Sequence, residues 1–219
     1  MGKTAFVLSM MENILNQNKK VLIFSLERSV QQLTKRIMIM NAQVDSTEVK
    51  LNHLEVSDFI KNQDLFIDDT AGINIEQIEE KIEEVKPDVV IIDYLQLMSE
   101  NEGKDHCTQI EEIVLGLKRI AKENDVVIFV ESQLSRALEE RCDKRPILSD
   151  LRESGAIKNL SDVVIFLYRD DYYDISNPIA NDIAEIIVAK NSNGNTGTVN
   201  LLFSRDNIKF KNVDKKYRK

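Results

Sequence analysis

Gly2, Lys3 and Thr4, in the opening stretch MGKTAF, have the residue types and order of the end of a phosphate-binding loop, G-x-x-x-x-G-K-[ST]. In such a loop the lysine contacts terminal phosphates and the hydroxyl reaches a magnesium ion. A tripeptide of this kind also occurs by chance at the start of solvated helices, so its meaning depends on what the rest of the chain places beside it. Asp93 ends the run VVIID, and an acid after apolar strand residues is the arrangement that holds the water shell of Mg²⁺. Glu27 ends VLIFSLE, where a carboxylate can polarise an attacking water; equally, it is an acid at a helix entry beside Ser29. Gln133 follows VVIFVES, either as an amide that senses a phosphate or as an ordinary loop residue. Ligands of open α/β sheets bind beyond the carboxyl ends of the strands, so three such residues on three strands support one another and the Gly2–Thr4 reading.

The elements that must position these groups are legible as alternating apolar runs and amphipathic segments. Val21 to Leu26, Val89 to Ile92, Val126 to Val130 and Val163 to Leu167 are short and rich in β-branched residues, the pattern of parallel strands covered on both faces. Between them, Val30, Leu33, Ile37 and Met40 share one helix face, as do Ile75, Ile78, Ile82 and Val85, and Ile110, Ile113, Val114, Leu117, Ile120 and Ala121. Ser29 is placed to cap the first of these helices and Pro87 to stop the second. Repeated strand, helix, strand order predicts an α/β fold with right-handed crossovers. From Glu185 onward, EIIVAK, VNLLFSR and IKFKN, separated by turn residues, predict antiparallel strands that extend the sheet.

Composition narrows the function classes. The 219 residues are 42% hydrophobic and 30% charged, enough for one substantial core, and no apolar run reaches the length of a membrane span. No secretory signal pattern opens the sequence, and Cys107 and Cys142 lack C-x-x-C partners, so both read as reduced thiols of a cytoplasmic protein. Net charge is 29 − 37 = −8, which rules out holding nucleic acid by a general positive coat. Any such contact falls to a local patch or to backbone amides.

With these residues in place, the chain resembles the C-terminal RecA-like ATPase domain of the DnaB family of replicative DNA helicases. The resemblance rests on MGKTAF, FSLE, VVIIDYLQLM, the long run SQLSRALEERCDKRPILSDLRESGAI, DVVIFLYRDDYY and GNTGTV, in the family's order. It implies a P-loop NTPase core, mostly parallel, with antiparallel strands at the C-terminus, as a single motor domain over residues 1–219 that is incomplete at the N-terminus and lacks the loop's own strand. It further implies ATP and Mg²⁺ as cofactors. By this resemblance Gly2 and Lys3 bind phosphates, Thr4 and Asp93 serve the metal, and Glu27 is general base. Gln133 links phosphate state to DNA grip, and Lys190 reaches a neighbouring subunit's nucleotide. Arg152, Glu153, Ser154 and Gly155 belong to a loop that lines the channel of a homo-hexamer and grips single-stranded DNA. Primase and a helicase loader are the further partners implied, with no membrane.

The sequence departs from the family pattern in three places. The front of the phosphate loop and the strand before it are not in the sequence, which predicts a gap beside the Val126 and Val163 strands. Glu131 stands where the family has an apolar residue, and a carboxylate there requires a partner or a raised pKa. Ser192 stands where the family carries an arginine finger. The leading expectation is therefore an ATP-driven helicase motor, and the alternative is a non-hydrolysing relative that serves as a binding or assembly module.

Overall fold

The computed structural model describes residues 2–41, 63–99, 105–151, 155–173 and 182–213. Helix α1 (Lys3–Leu15) leads to β1 (Val21–Ser25), α2 (Val30–Asn41), β2 (Leu65–Asp68), α3 (Ile75–Val85), β3 (Val89–Asp93), α4 (His106–Glu123) and β4 (Val127–Val130). There follow α5 (Gly155–Leu160), β5 (Val163–Arg169), the single turn α6 (Asp170–Tyr173), β6 (Ile183–Asn191), β7 (Gly197–Ser204) and β8 (Lys209–Asn212).

The first four strands form a parallel sheet in the order β2-β1-β3-β4. Its two inner strands, β1 and β3, are buried at every position, which is why they read as unbroken apolar runs. One face packs Leu22, Phe24, Val90 and Ile92 against Ile78 and Ile82 of α3 and Ile113, Leu117 and Ile120 of α4. The other packs Val21, Ile23 and Ile91 against Leu8 and Met11 of α1 and Leu33 and Ile37 of α2. The helix boundaries are where the sequence puts them. Ser29 Oγ accepts from the Gln32 amide at 3.3 Å, and α3 ends at Val85 with Lys86 left-handed just before Pro87.

The Val163–Leu167 run is not a parallel neighbour of the others, contrary to the expectation from its composition. It lies within β5, which pairs antiparallel with β6 in a second sheet, β5-β6-β7-β8. An apolar run carries no record of direction, and antiparallel partners need no helical crossover between them. The C-terminal strands are antiparallel, as expected. Strand β2 is an addition to the expected set, because four residues give too short a pattern to separate from a loop.

Nor is β4 covered as a core strand would be: Val127 and Val130 are 55% and 38% exposed, and on β5 Val163 and Ile165 are 47% and 40% exposed. Among the described residues no strand pairs with the outer edge of either, so the gap expected beside these two runs corresponds to two open edges. Helix α1 ties the sheets together. Its Ala5 packs with Ala184, Phe203 and Phe210, Ser9 Oγ accepts from the Phe210 amide at 3.0 Å, and Glu12 pairs with Lys209.

Candidate nucleotide site at the carboxyl edge of the parallel sheet

Strand register decides which side chains meet. Ser25 at the end of β1 lies opposite Asp93 at the end of β3, so the residues just past β1 emerge beside Asp93. The Leu26 amide donates to the Asp93 carbonyl at 2.9 Å, and Ser25 Oγ donates to the Arg28 carbonyl at 2.8 Å, which fixes the turn carrying Glu27 and Arg28. On the other side, the Glu131 amide donates to the Ile92 carbonyl and the Leu95 amide to the Glu131 carbonyl, both at 2.9 Å. Gln96 closes the seam, donating to Ser132 Oγ at 3.0 Å and accepting from the Gln133 amide at 3.3 Å.

Helix α1 points its N-terminus at this edge. Gly2 precedes it with φ 105°, a left-handed conformation that a side chain would strain, and the Phe6 amide closes the first turn on the Gly2 carbonyl at 3.0 Å. The first-turn amides of such a helix lack intrahelical partners and its dipole favours an anion. Lys3 Nζ reaches across to the Ser132 carbonyl at 3.2 Å, and Thr4 Oγ1 lies 3.3 Å from Asp93 Oδ2. Gly2, Lys3, Thr4, Glu27, Asp93 and Gln133, distant in sequence, thus share one edge, although Gln133 is exposed and engages it through its backbone amide.

One residue that sequence reasoning passed over sits at the centre. Arg28 Nη1 lies 3.1 Å from Thr4 Oγ1, 3.3 Å from Asp93 Oδ2 and 3.4 Å from Glu27 Oε2. The only signal for it was a basic residue directly after the strand-end acid. Burial raises the Asp93 pKa above the usual carboxylate value, opposed by Arg28, Thr4 and Lys3. Glu131 is 8% exposed, its Oε1 has no hydrogen-bond partner, and burial, helped by the Asp93 charge, pushes its pKa up to about 8. Arg36, whose buried Nε is likewise unpartnered, is held below its ordinary value by burial and by Arg28.

The donor set suits Mg²⁺. Thr4 and Asp93 offer hard oxygen atoms at one spot, where the Arg28 guanidinium lies between them. Among the described residues no group of three or more His, Cys, Asp or Glu could hold a metal by itself.

The residues expected to serve a neighbouring subunit or DNA lie elsewhere in the chain. Lys190 Nζ donates to the carbonyls of Lys158, Asn159 and Ser161 at 2.9, 2.9 and 2.6 Å, and so caps the C-terminus of α5. Gly155 opens that helix, whereas Arg152, Glu153 and Ser154 lie outside the described residues. The base of their loop is anchored by buried Asp150, which accepts from Arg141 Nη2 at 2.9 Å and the Ile147 amide at 2.8 Å. Ser192, past the end of β6, donates its amide to the Asp162 carbonyl at 2.8 Å, and Arg205 is engaged by Asp171 and Asp182. No helix among the described residues is long and apolar enough to cross a membrane, and both cysteines are exposed and free.

Comparison with known proteins converges on one family. The chain is 39% identical to the replicative DNA helicase DnaC of Bacillus subtilis (strain 168) over 232 residues, covering 99% of this chain and 51% of that protein. It is 38% identical to the replicative DNA helicase DnaB of Geobacillus stearothermophilus, with the same coverage. The chain thus spans about half the length of the curated relatives it matches. A solved structure of a DnaB-like replicative helicase and its interactions with primase superimposes with a TM-score of 0.91 at 36% identity, over 98% of this chain and 55% of that one. A second solved structure, of an ATPase domain, gives 0.90 at 36% identity, over 97% of this chain and 81% of that one. The model of the DnaB-like helicase C-terminal domain matches residues 1–212, and the chain, a RecA-like ATPase fold with a parallel four-stranded sheet beside an antiparallel one, belongs to that family.

Proposed function

We propose that this chain is the motor domain of an ATP-dependent replicative DNA helicase, coupling ATP hydrolysis to movement along single-stranded DNA and to duplex unwinding. The observation that carries the reading is the meeting of Lys3, Thr4, Asp93 and Glu27 at one sheet edge in front of a helix N-terminus. Lys3 and the α1 amides bind the phosphates, and Thr4 and Asp93 would hold Mg²⁺, which supplies charge neutralisation when bound. Glu27 takes the proton of the attacking water, and Gln133, next to the Lys3 acceptor Ser132, relays phosphate state to the strand-gripping loop. That loop, residues 152–155, contacts the DNA backbone; contact by a few groups and amides suits a protein of net charge −8. Lys190 completes a neighbouring subunit's site in a homo-hexameric ring, and primase and a loader are the partners the family suggests.

Steady-state phosphate release, measured with and without single-stranded DNA, tests this reading. The expected result is DNA-stimulated hydrolysis that Lys3→Ala and Asp93→Asn abolish in folded protein. Association with helicase subunits, without hydrolysis under any condition, is the result that the assembly-module alternative requires.

A further inference from the structure

We infer that Arg28, whose guanidinium lies between Thr4 and Asp93, is a ligand of the nucleotide's terminal phosphate, supplied from within the same subunit. The inference rests on the proposed ATP site. Its geometric basis is independent of any partner subunit: one guanidinium nitrogen, Nη1, touches Thr4 Oγ1, Asp93 Oδ2 and Glu27 Oε2 at 3.1, 3.3 and 3.4 Å. Those are the oxygens assigned to the metal and to the attacking water, so the terminal phosphate must lie beside all three.

Thr4 Oγ1 and Asp93 Oδ2, which Arg28 Nη1 contacts, are the oxygens that would hold a divalent ion, and a phosphate beside that ion would offer the guanidinium further anionic acceptors. The Arg28 carbonyl accepts from Ser25 Oγ at 2.8 Å, which holds the turn that carries the side chain at this edge. Lys3 cannot do the same work, since an ammonium contacts oxygens singly whereas the planar fork contacts two at once. Ser192 carries no charge, and Arg205 is committed to Asp171 and Asp182, so neither competes for the role within the chain.

In the hydrolytic step the water oxygen bonds to the γ-phosphorus as the bond to the bridging oxygen breaks. The bridging electrons leave with ADP, the water proton passes to Glu27, and inorganic phosphate is the second product. Negative charge on the γ-oxygens is what Arg28 meets.

The test is calorimetry of the protein with Mg²⁺ and either ADP or the slowly hydrolysed ATPγS, for the parent, Arg28→Gln and Arg28→Lys, each with a melting curve. The expected result is an ATPγS-to-ADP affinity ratio that falls at least roughly tenfold in Arg28→Gln and less in Arg28→Lys. If Arg28→Gln does not fold, the drop in Arg28→Lys decides. An unchanged ratio in either folded variant, while the parent binds both nucleotides, overturns the role of Arg28 and leaves the ATP site standing. A parent that binds neither nucleotide overturns both.

Discussion

Replacing Glu131 by leucine should stabilise the protein, and more so as pH rises. Its carboxyl is 8% exposed, Oε1 lacks a partner, and Asp93 adds a like charge nearby. The folded pKa of about 8 stands above the ordinary 4.5, so between those values the folded state holds a proton that the unfolded chain has released. Folding stability contributed by this group is therefore intact below pH 4.5, falls as pH rises, and levels off above pH 8. At 1.36 kcal/mol per pH unit, the cost accumulated between 4.5 and 7 is at most roughly 3 kcal/mol. Leucine removes that cost and buries an apolar side chain of similar size. Urea denaturation of both proteins from pH 5 to 8.5 measures the difference, in which titrating groups not coupled to Glu131 cancel. The gain should be about 1 kcal/mol at pH 5 and about 4 kcal/mol at pH 8, the latter about 8 to 16 °C in Tm for a chain of this length. A gain independent of pH, or a loss at pH 8, refutes the assignment of a strained acid at this position.

Asp93→Asn removes a buried charge whose pKa burial already raises, so the fold should keep its Tm within a few degrees while Mg²⁺-dependent nucleotide binding disappears by calorimetry. Asp150→Ala strips Arg141 and the Ile147 amide of their shared acceptor and should cost about 2 kcal/mol in urea denaturation, with weaker binding of single-stranded DNA. Lys190→Met removes the donor from three carbonyls at the end of α5 and should lower stability by about 1 kcal/mol; loss of ring ATPase beyond that effect separates a catalytic role from the capping one. Ser192→Arg alone should change the DNA-stimulated ATPase rate less than about threefold while Arg28 is present, and should restore at least about tenfold in the Arg28→Gln background.

How much of this was legible depends on whether a feature is local. Lys3, Thr4, Asp93 and Glu27 could be read because each sits at the end of an apolar run or the start of a helix, and the run itself fixes which end of the sheet the residue reaches. Glu131 could be read because it follows directly on such a run, where the family pattern has an apolar residue and a carboxylate needs a partner or a raised pKa. Strand direction could not: Val163 to Leu167 has the composition of a parallel core strand, and only its pairing with β6 reveals the second sheet. Nor could Lys190, whose three acceptors lie about thirty residues earlier and give no pattern within its own strand.

Arg28 shows the limit most clearly. In sequence it is a basic residue at a helix entry, a common surface feature. Its position follows from three separate facts: Ser25 pairs opposite Asp93, Ser25 Oγ holds the following turn, and α1 brings Thr4 to the same edge. Each fact is tertiary, and together they turn an ordinary side chain into the charge that faces Thr4, Glu27 and Asp93 at once. The same convergence leaves Glu131 close by, within reach of the Arg28 and Lys3 charges while its Oε1 stays unbonded.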